Sequence, residues 1–231
     1  EPIHLASAGS NINLGQFYSP SGLSQVQDKN GLWLDVFGQW GDQASSGGYN
    51  GYDYTMRGGA LGLDHTLTDR FILGLSAGFS EGDVYVDHNR GNSQIESYSG
   101  ALYGSYFTDN IYLDGAVSYA RNKYENVRSI DIGQIERSVS SDHHGDLFSA
   151  NLGVGYTLDA KKVILEPFGG IKYTYLEEEA FREEGGGSIN LIMPKRYTDS
   201  LLSELGVKIS KVIPVEESFI IPEMSLAWSY D

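Results

Sequence analysis

The sequence predicts an all-β chain, specifically an antiparallel up-and-down transmembrane β-barrel. Three observations lead there. Segments of strand length pair an apolar face with a face of Gly, Ser, Thr and Asp. The connections between them alternate between short and long. Charged residues inside the segments fall on the small, polar parity and avoid the apolar one. Side chains two apart lie on one face of a strand. A soluble sandwich turns its apolar face inward and coats the other with Lys, Glu and Arg. A membrane barrel is apolar outside and polar inside.

Residues 57–80, RGGALGLDHTLTDRFILGLSAGFS, show the pattern most plainly. Leu61, Leu63 and Leu67 share one parity, with Gly62, Asp64 and Thr66 between them. After the turn Thr68-Asp69-Arg70, Leu73, Leu75, Ala77 and Phe79 alternate with Gly74, Ser76, Gly78 and Ser80. This is a hairpin whose second face suits a crowded, wet interior.

Taken in order, residues 1–30 are rich in Ser, Asn, Gln and Gly without a sustained period and read as a linker. A short helix is conceivable near Leu23 to Gln27. Alternation starts with Leu32, Leu34 and Val36 against Trp33, Asp35 and Phe37. A segment rich in Gly, Ser and Asn, 41–50, leads to the hairpin. Polar residues 81–96 precede a strand over 98–107, and Thr108-Asp109-Asn110 makes a tight turn. The next strand sets Ile111, Leu113, Val117 and Tyr119 against Asp114, Ala116 and Ser118. Residues 121–146 read as a long polar connection. Then Phe148, Ala150, Leu152, Val154 and Tyr156 alternate with Ser149, Asn151, Gly153 and Gly155. Beyond the turn at 159–162, Leu165, Pro167, Ile171 and Tyr173 oppose Glu166, Phe168, Gly170 and Lys172. Residues 176–199 are again long and polar. Leu205, Val207 and Ile209 against Glu204, Gly206 and Lys208 form the eighth strand. Ile220, Met224, Leu226 and Trp228 against Ile221, Glu223, Ser225 and Ala227 form the ninth.

Short turns near 68, 108, 159 and 213 against long connections near 45, 88, 133 and 188 match the periplasmic and external sides of an outer-membrane barrel. The inward parity collects Asp64, Asp114, Glu166, Lys172, Glu204, Lys208 and Glu223. Trp33, Trp40, Tyr106, Tyr112, Tyr156, Tyr173, Trp228 and Tyr230 sit near strand ends, where an interfacial girdle belongs. Closed bacterial barrels have an even number of strands. Nine strands are therefore expected to be part of a larger barrel, incomplete at the C-terminal end.

Composition agrees. The chain has 231 residues, with 29 Gly, 16 Tyr and 6 Pro, a profile for Gly- and aromatic-rich strands. A formal charge of −15 argues against nucleic acid as a partner. No run of 18 apolar residues is present, so no transmembrane helix is expected. Mean hydropathy is −0.29, which misses a barrel because only alternate residues meet lipid. Cysteine is absent, and a closed barrel needs no disulfide. No signal peptide is visible at Glu1, so Glu1 is expected to lie within a longer chain. Acidic runs such as Glu177-Glu178-Glu179 and Glu183-Glu184 read as solvated loops, with cation bridging to lipid headgroups as the sharper alternative.

Five ordered segments carry a resemblance: GLWLDVFGQWG at 31–41, GYDY at 51–54 followed by GGALGLD at 58–64, LGLSAGFS at 73–80, TDSLLSELG at 198–206 and PEMSLAW at 222–228. Together they resemble the C-terminal translocator barrel of type V secretion autotransporters, from about Gly31 to the end. The resemblance implies a twelve-stranded barrel in the outer membrane of a Gram-negative bacterium. It implies domains of 1–30 as linker and 31–231 as barrel, and a helical linker through the pore to an N-terminal passenger exported to the surface. Implied partners are outer-membrane lipid and lipopolysaccharide, the chain's own passenger, the outer-membrane assembly machinery and periplasmic chaperones. The ending at Asp231 departs from the family's aromatic terminus.

For chemistry, Asp142-His143-His144-Gly145-Asp146 is the most reactive-looking cluster. A His beside carboxylates can activate water or hold a metal. Adjacent strand residues point to opposite faces, however, and no nucleophile sits at a fixed spacing, so a polar loop is the plainer reading. Passenger cleavage inside the barrel would need an Asn such as Asn11, Asn13 or Asn30 near acidic lumen residues such as Glu166, Glu204 or Glu223, and no cleavage motif is present. Gly51, Gly58, Gly59 and Gly62 precede no helix and so form no phosphate loop. Room for aromatic rings is the better use. No catalytic, cofactor-binding or metal residue is assigned. The expected role is a non-enzymatic translocator, with a porin or a small surface hydrolase as alternatives.

Overall fold

The computed structural model describes residues 30–45, 50–133, 135–160, 163–211, 213–215 and 218–231. The expected linker, the helix considered near Leu23 to Gln27, Asn11 and Asn13 lie outside the described residues. Nine long strands form one antiparallel sheet in which each pairs with its neighbour in sequence. They are β1 (Asn30–Gln43), β2 (Tyr52–Thr68), β3 (Phe71–Val86), β4 (Gly91–Phe107) and β5 (Ile111–Ile132). Then come β6 (Ile135–Tyr156), β7 (Ile164–Glu178), β8 (Arg196–Ser210) and β9 (Glu223–Tyr230). The path is an up-and-down meander in the form of a half-barrel, with β1 and β9 as the edges of the described sheet.

Register places the two faces as the alternation requires. Leu32, Leu63, Leu75, Leu102, Val117, Ala150, Tyr173 and Leu201 follow one another across eight strands. One residue along, Trp33, Gly62, Ser76, Ala101, Ser118, Ser149, Thr174 and Ser200 make the neighbouring row on the opposite face. A slip of one residue would exchange the two sets, so lipid on one side and water on the other fix the pairing.

Burial is inverted relative to a soluble domain. Most large apolar side chains are exposed, among them Trp40 at 80%, Leu63 at 61% and Leu75 at 62%. Buried positions such as Ala60, Ser80, Ser97, Ser105, Ala120 and Ser149 are small and belong to the inner face. An apolar surface this continuous has no stable place in water. In a bilayer it faces hydrocarbon, and every backbone group between paired strands is satisfied within the sheet.

Two expectations change. Residues 81–96 and 121–146 are mostly strand, not loop: β3 runs to Val86, and β5 and β6 are 22 residues each. That is about twice the 9–11 residues a tilted strand needs to cross a bilayer. The excess projects outside. Water wets both faces there, so apolar alternation disappears while strand pairing persists. The short–long alternation is thus one of tight turns against projecting hairpins. The second change concerns Trp33 and Tyr112, which do not join the girdle. Both point inward and lie over Gly62 and Gly155, their direct cross-strand partners. Trp40, Tyr106, Tyr156, Tyr173, Trp228 and Tyr230 are outward and exposed as expected.

Candidate functional site: the inner wall and its outer mouth

The inner wall has three levels. Nearest the tight turns, polar groups pair across strands. Trp33 Nε1 donates to Tyr103 Oη at 2.7 Å, and Tyr103 Oη donates to Asp64 Oδ2 at 3.4 Å. Thr157 Oγ1 donates to Glu166 Oε1 at 3.2 Å, and Ser229 Oγ to Glu204 Oε2 at 3.3 Å. Lys208 Nζ lies 3.5 Å from Glu223. Asp64, Glu166, Glu204, Lys208 and Glu223 therefore face the lumen side as their parity requires. Inward polar groups line a wet cavity at low cost, whereas on the lipid face they would be expensive.

The middle level is the row of small residues from Gly62 through Ser76, Ala101, Ser118 and Ser149. Apart from Trp33 of β1, which lies over Gly62 at one end of this row, it leaves a smooth wall of small side chains.

Above the membrane, the inner side of the β5–β6 hairpin carries a packed cluster. The His143 ring is stacked between Tyr124, at 4.8 Å, and Phe181, at 4.3 Å. Its Nε2 lies 3.4 Å from Glu178 Oε1, which also accepts from Arg196 Nη2 at 2.8 Å. Burial pushes the Tyr124 hydroxyl up to about 12, with the Glu178 charge adding to it. Arg128 Nε and Nη2 donate to the two oxygens of Glu183, the first at 2.8 Å. Those hydrogen bonds hold the Glu183 carboxyl below the usual carboxylate range, against partial burial.

The reactive-looking cluster is divided by the pleat. His143 is inward and buried; His144 is outward, with Nδ1 3.9 Å from Glu179. Asp146 is outward too, accepting from Arg121 at 2.6 Å and from Tyr119 at 2.5 Å. Asn30 Oδ1 meets His65 Nδ1 at 2.6 Å, a cross-strand pair at the start of β1. Among the described residues, no group of three or more His, Asp or Glu is arranged to hold a metal ion. Sequence reasoning missed the Arg128–Glu183 pair and the Tyr124–His143–Phe181 sandwich. Their partners are 19 to 55 residues apart and fall in stretches whose polarity suggested loop.

The autotransporter β-domain family matches residues 32–231. The chain is 25% identical over 214 residues to Outer membrane protein A of Rickettsia conorii, covering 88% of this chain and 11% of that protein. It is 26% identical over 206 residues to an extracellular serine protease of Serratia marcescens, covering 88% and 19%. It thus spans between a tenth and a fifth of the length of these relatives. Among solved structures, the translocator domain of autotransporter NalP from Neisseria meningitidis superposes with a TM-score of 0.75. Identity is 19%, over 91% of this chain and 71% of that one. The β domain of the Bordetella autotransporter BrkA gives 0.70 at 18% identity, over 88% and 80%. At such identities the structures speak for the fold: an antiparallel barrel wall. An inverted burial pattern, a polar inner wall and this family together place the protein in the outer membrane of a Gram-negative bacterium. With its family match running from the first strand to the last residue, the chain belongs to the autotransporter β-domain family.

Proposed function

We propose that this chain is the translocator of a longer protein: an outer-membrane barrel wall that anchors an N-terminal passenger and supplies its route to the surface. The observation that carries it is the inner wall. Its middle level is a row of Gly, Ala, Ser and Thr across seven strands, bounded on the outside by unbroken lipid-facing apolar rows. Such a wall neither grips a ligand nor positions a reacting group. It gives an extended or helical polypeptide an unobstructed wet path. The domain performs no covalent chemistry of its own. A hydrolase built on His143 is disfavoured because the ring is closed between two aromatic planes, with no water-facing nitrogen at work. Its partners are its own passenger, outer-leaflet lipopolysaccharide against the exposed aromatic girdle, and the assembly machinery and periplasmic chaperones that deliver a barrel to the membrane.

The test is surface display by the full-length protein. Protease added to intact cells is expected to remove the segment upstream of this domain while the barrel stays protected. Leu152→Arg, on the lipid face, is expected to abolish display. An inserted barrel whose upstream segment stays in the periplasm would sink the proposal.

A further inference from the structure

The connection between β7 and β8 does not stand clear of the wall. It runs along the β6 edge of the projecting β5–β6 hairpin and reaches over the inner side with Phe181, Glu183 and Gly186. Glu179 N donates to His144 O at 2.9 Å. Ser140 and Glu184 exchange both backbone hydrogen bonds, at 3.0 and 2.8 Å. Phe181 closes over His143, and Arg137 Nη1 donates to Gly186 O. Glu183 is 7% exposed in its side chain. It accepts two hydrogen bonds from Arg128 and one from Leu191 N at 2.8 Å. A carboxylate is buried at tolerable cost only when paired and hydrogen-bonded in this way. Val139, on the inner face of β6, is left 1% exposed beneath Gly186. The reversals of the segment fall at Gly185 and Gly187, with φ of +94° and +66°, a region open to glycine at little cost.

We propose that residues 179–195 form a strap that narrows the outer mouth of the barrel, latched in place by Arg128 and Glu183. The proposal rests on the translocator reading above. Two features argue for it over a fixed edge cap. The strap covers the inward side of the hairpin with Phe181, Glu183 and Gly186, the side that anything leaving the lumen must pass. It is held by local contacts and not by a long ladder: the ion pairs Arg128–Glu183, Arg121–Glu179 and Lys195–Glu177, the two-bond Ser140–Glu184 bridge, the Glu179 N–His144 O and Arg137–Gly186 O hydrogen bonds, the ring sandwich and the short pairing of Phe181–Arg182 with Ile192–Met193. Lifting it breaks the Glu179 N–His144 O bond but none of the β6–β7 or β7–β8 residue pairs, because β7 pairs with β6 only up to Gly145–Glu178. A strap so held has a docked and a released state that differ in few interactions.

The experiment uses the full-length protein in planar lipid bilayers. Arg128→Gln and Glu183→Gln are each expected to raise mean conductance and remove the lowest conductance level. The exchanged pair, Arg128→Glu with Glu183→Arg, is expected to bring that level back. Ser140→Cys with Glu184→Cys places two thiols at a directly paired position of a chain with no cysteine of its own. Their oxidation is expected to hold the lowest level until reductant is added. Wild-type conductance in both Gln variants, with no response to oxidation of the cysteine pair, would overturn the strap and leave residues 179–195 as a static cap on the β6 edge. Surface display of the upstream segment is scored in parallel. Its absence from wild-type cells strikes at the translocator reading, whatever the conductance shows.

Discussion

At the scale of the residue, the inner wall is built from rings laid on glycines. Trp33 covers Gly62, Tyr54 covers Gly41, Tyr103 covers Gly74, Tyr112 covers Gly155 and Phe168 covers Gly206, each pair directly opposite in register. Glycine weakens a strand because it has no side chain to pack, and an aromatic neighbour restores that packing. Gly58 is closed in by backbone as well as by a ring: a Cβ there would meet Phe37 Cζ and Phe79 O, both at 2.6 Å, and a backbone oxygen cannot move aside. Gly58→Ala is therefore expected to destabilise the barrel by about 1–3 kcal/mol, the usual cost of overpacking. At Gly82 the nearest atom to such a Cβ is Thr55 O at 3.8 Å. Gly82→Ala is then expected to be neutral or to stabilise by up to about 1 kcal/mol. Urea unfolding in lipid vesicles compares the two, and equal stabilities would refute the packing argument. The use of Gly58 and Gly62 for ring packing was legible in the sequence. That Gly51 and Gly59 host no ring was not, because register decides which residue lies opposite and the turn lengths that set register are weakly encoded.

At the scale of the element, a strand is readable where its two faces meet different solvents and unreadable where they meet the same one. Residues 61–67 and 73–79 declare themselves because one side meets lipid and the other water. Residues 121–132 and 135–146 are equally well paired, yet water on both sides erased their alternation. They read as loop, and the Arg128–Glu183 latch within reach of them went unseen. Neighbouring positions on β3 test the first half of this. Leu75→Arg, on the lipid face, is expected to cost about 2–4 kcal/mol near the midplane and to block insertion. Ser76→Arg, one residue on and facing the lumen, is expected to insert normally. Heat-modifiable migration of the two variants on gels separates them, and similar behaviour would mean the faces are reversed. The projecting elements answer to pH instead. Arg128's hydrogen bonds hold the Glu183 carboxyl below its usual range. Its contribution to the docked strap is then complete above the ordinary carboxylate value and is lost as pH falls through the lowered one. Hydrogen exchange at the Ser140 and Glu184 amides is expected to stay slow at neutral pH and to accelerate on acidification through that range. Glu183→Gln is expected to remove the step, and an unchanged step in that variant would assign it elsewhere.

At the scale of the whole molecule, the charge that composition reports as −15 is not spread evenly. Alternation turns the charges of the membrane-crossing parts of the strands inward, while outward charges such as Arg57, Arg121 and Asp146 lie towards the projecting ends. Among the described residues that places Asp35, Asp64, Asp114, Glu166, Glu204 and Glu223 on the wall, against Lys172 and Lys208. A narrow wet passage between low-dielectric walls focuses the field of its lining charges and enriches counter-ions. Six carboxylates against two lysines make this wall cation-preferring. The full-length barrel in a potassium chloride gradient is therefore expected to show a reversal potential of the cation-selective sign. Glu166→Gln with Glu204→Gln is expected to move that potential toward zero, and raised ionic strength is expected to weaken it further through screening. An anion-selective wild type, or a potential that ignores the double variant, would mean that charges elsewhere in the barrel set the field. The same field bears on export. A wall of this sign attracts basic side chains and repels acidic ones, so stretches rich in Lys or Arg are expected to linger in the lumen and acidic stretches to pass quickly. Surface display of passengers carrying matched basic and acidic insertions measures that difference, and equal export of both would confine the field's role to small ions.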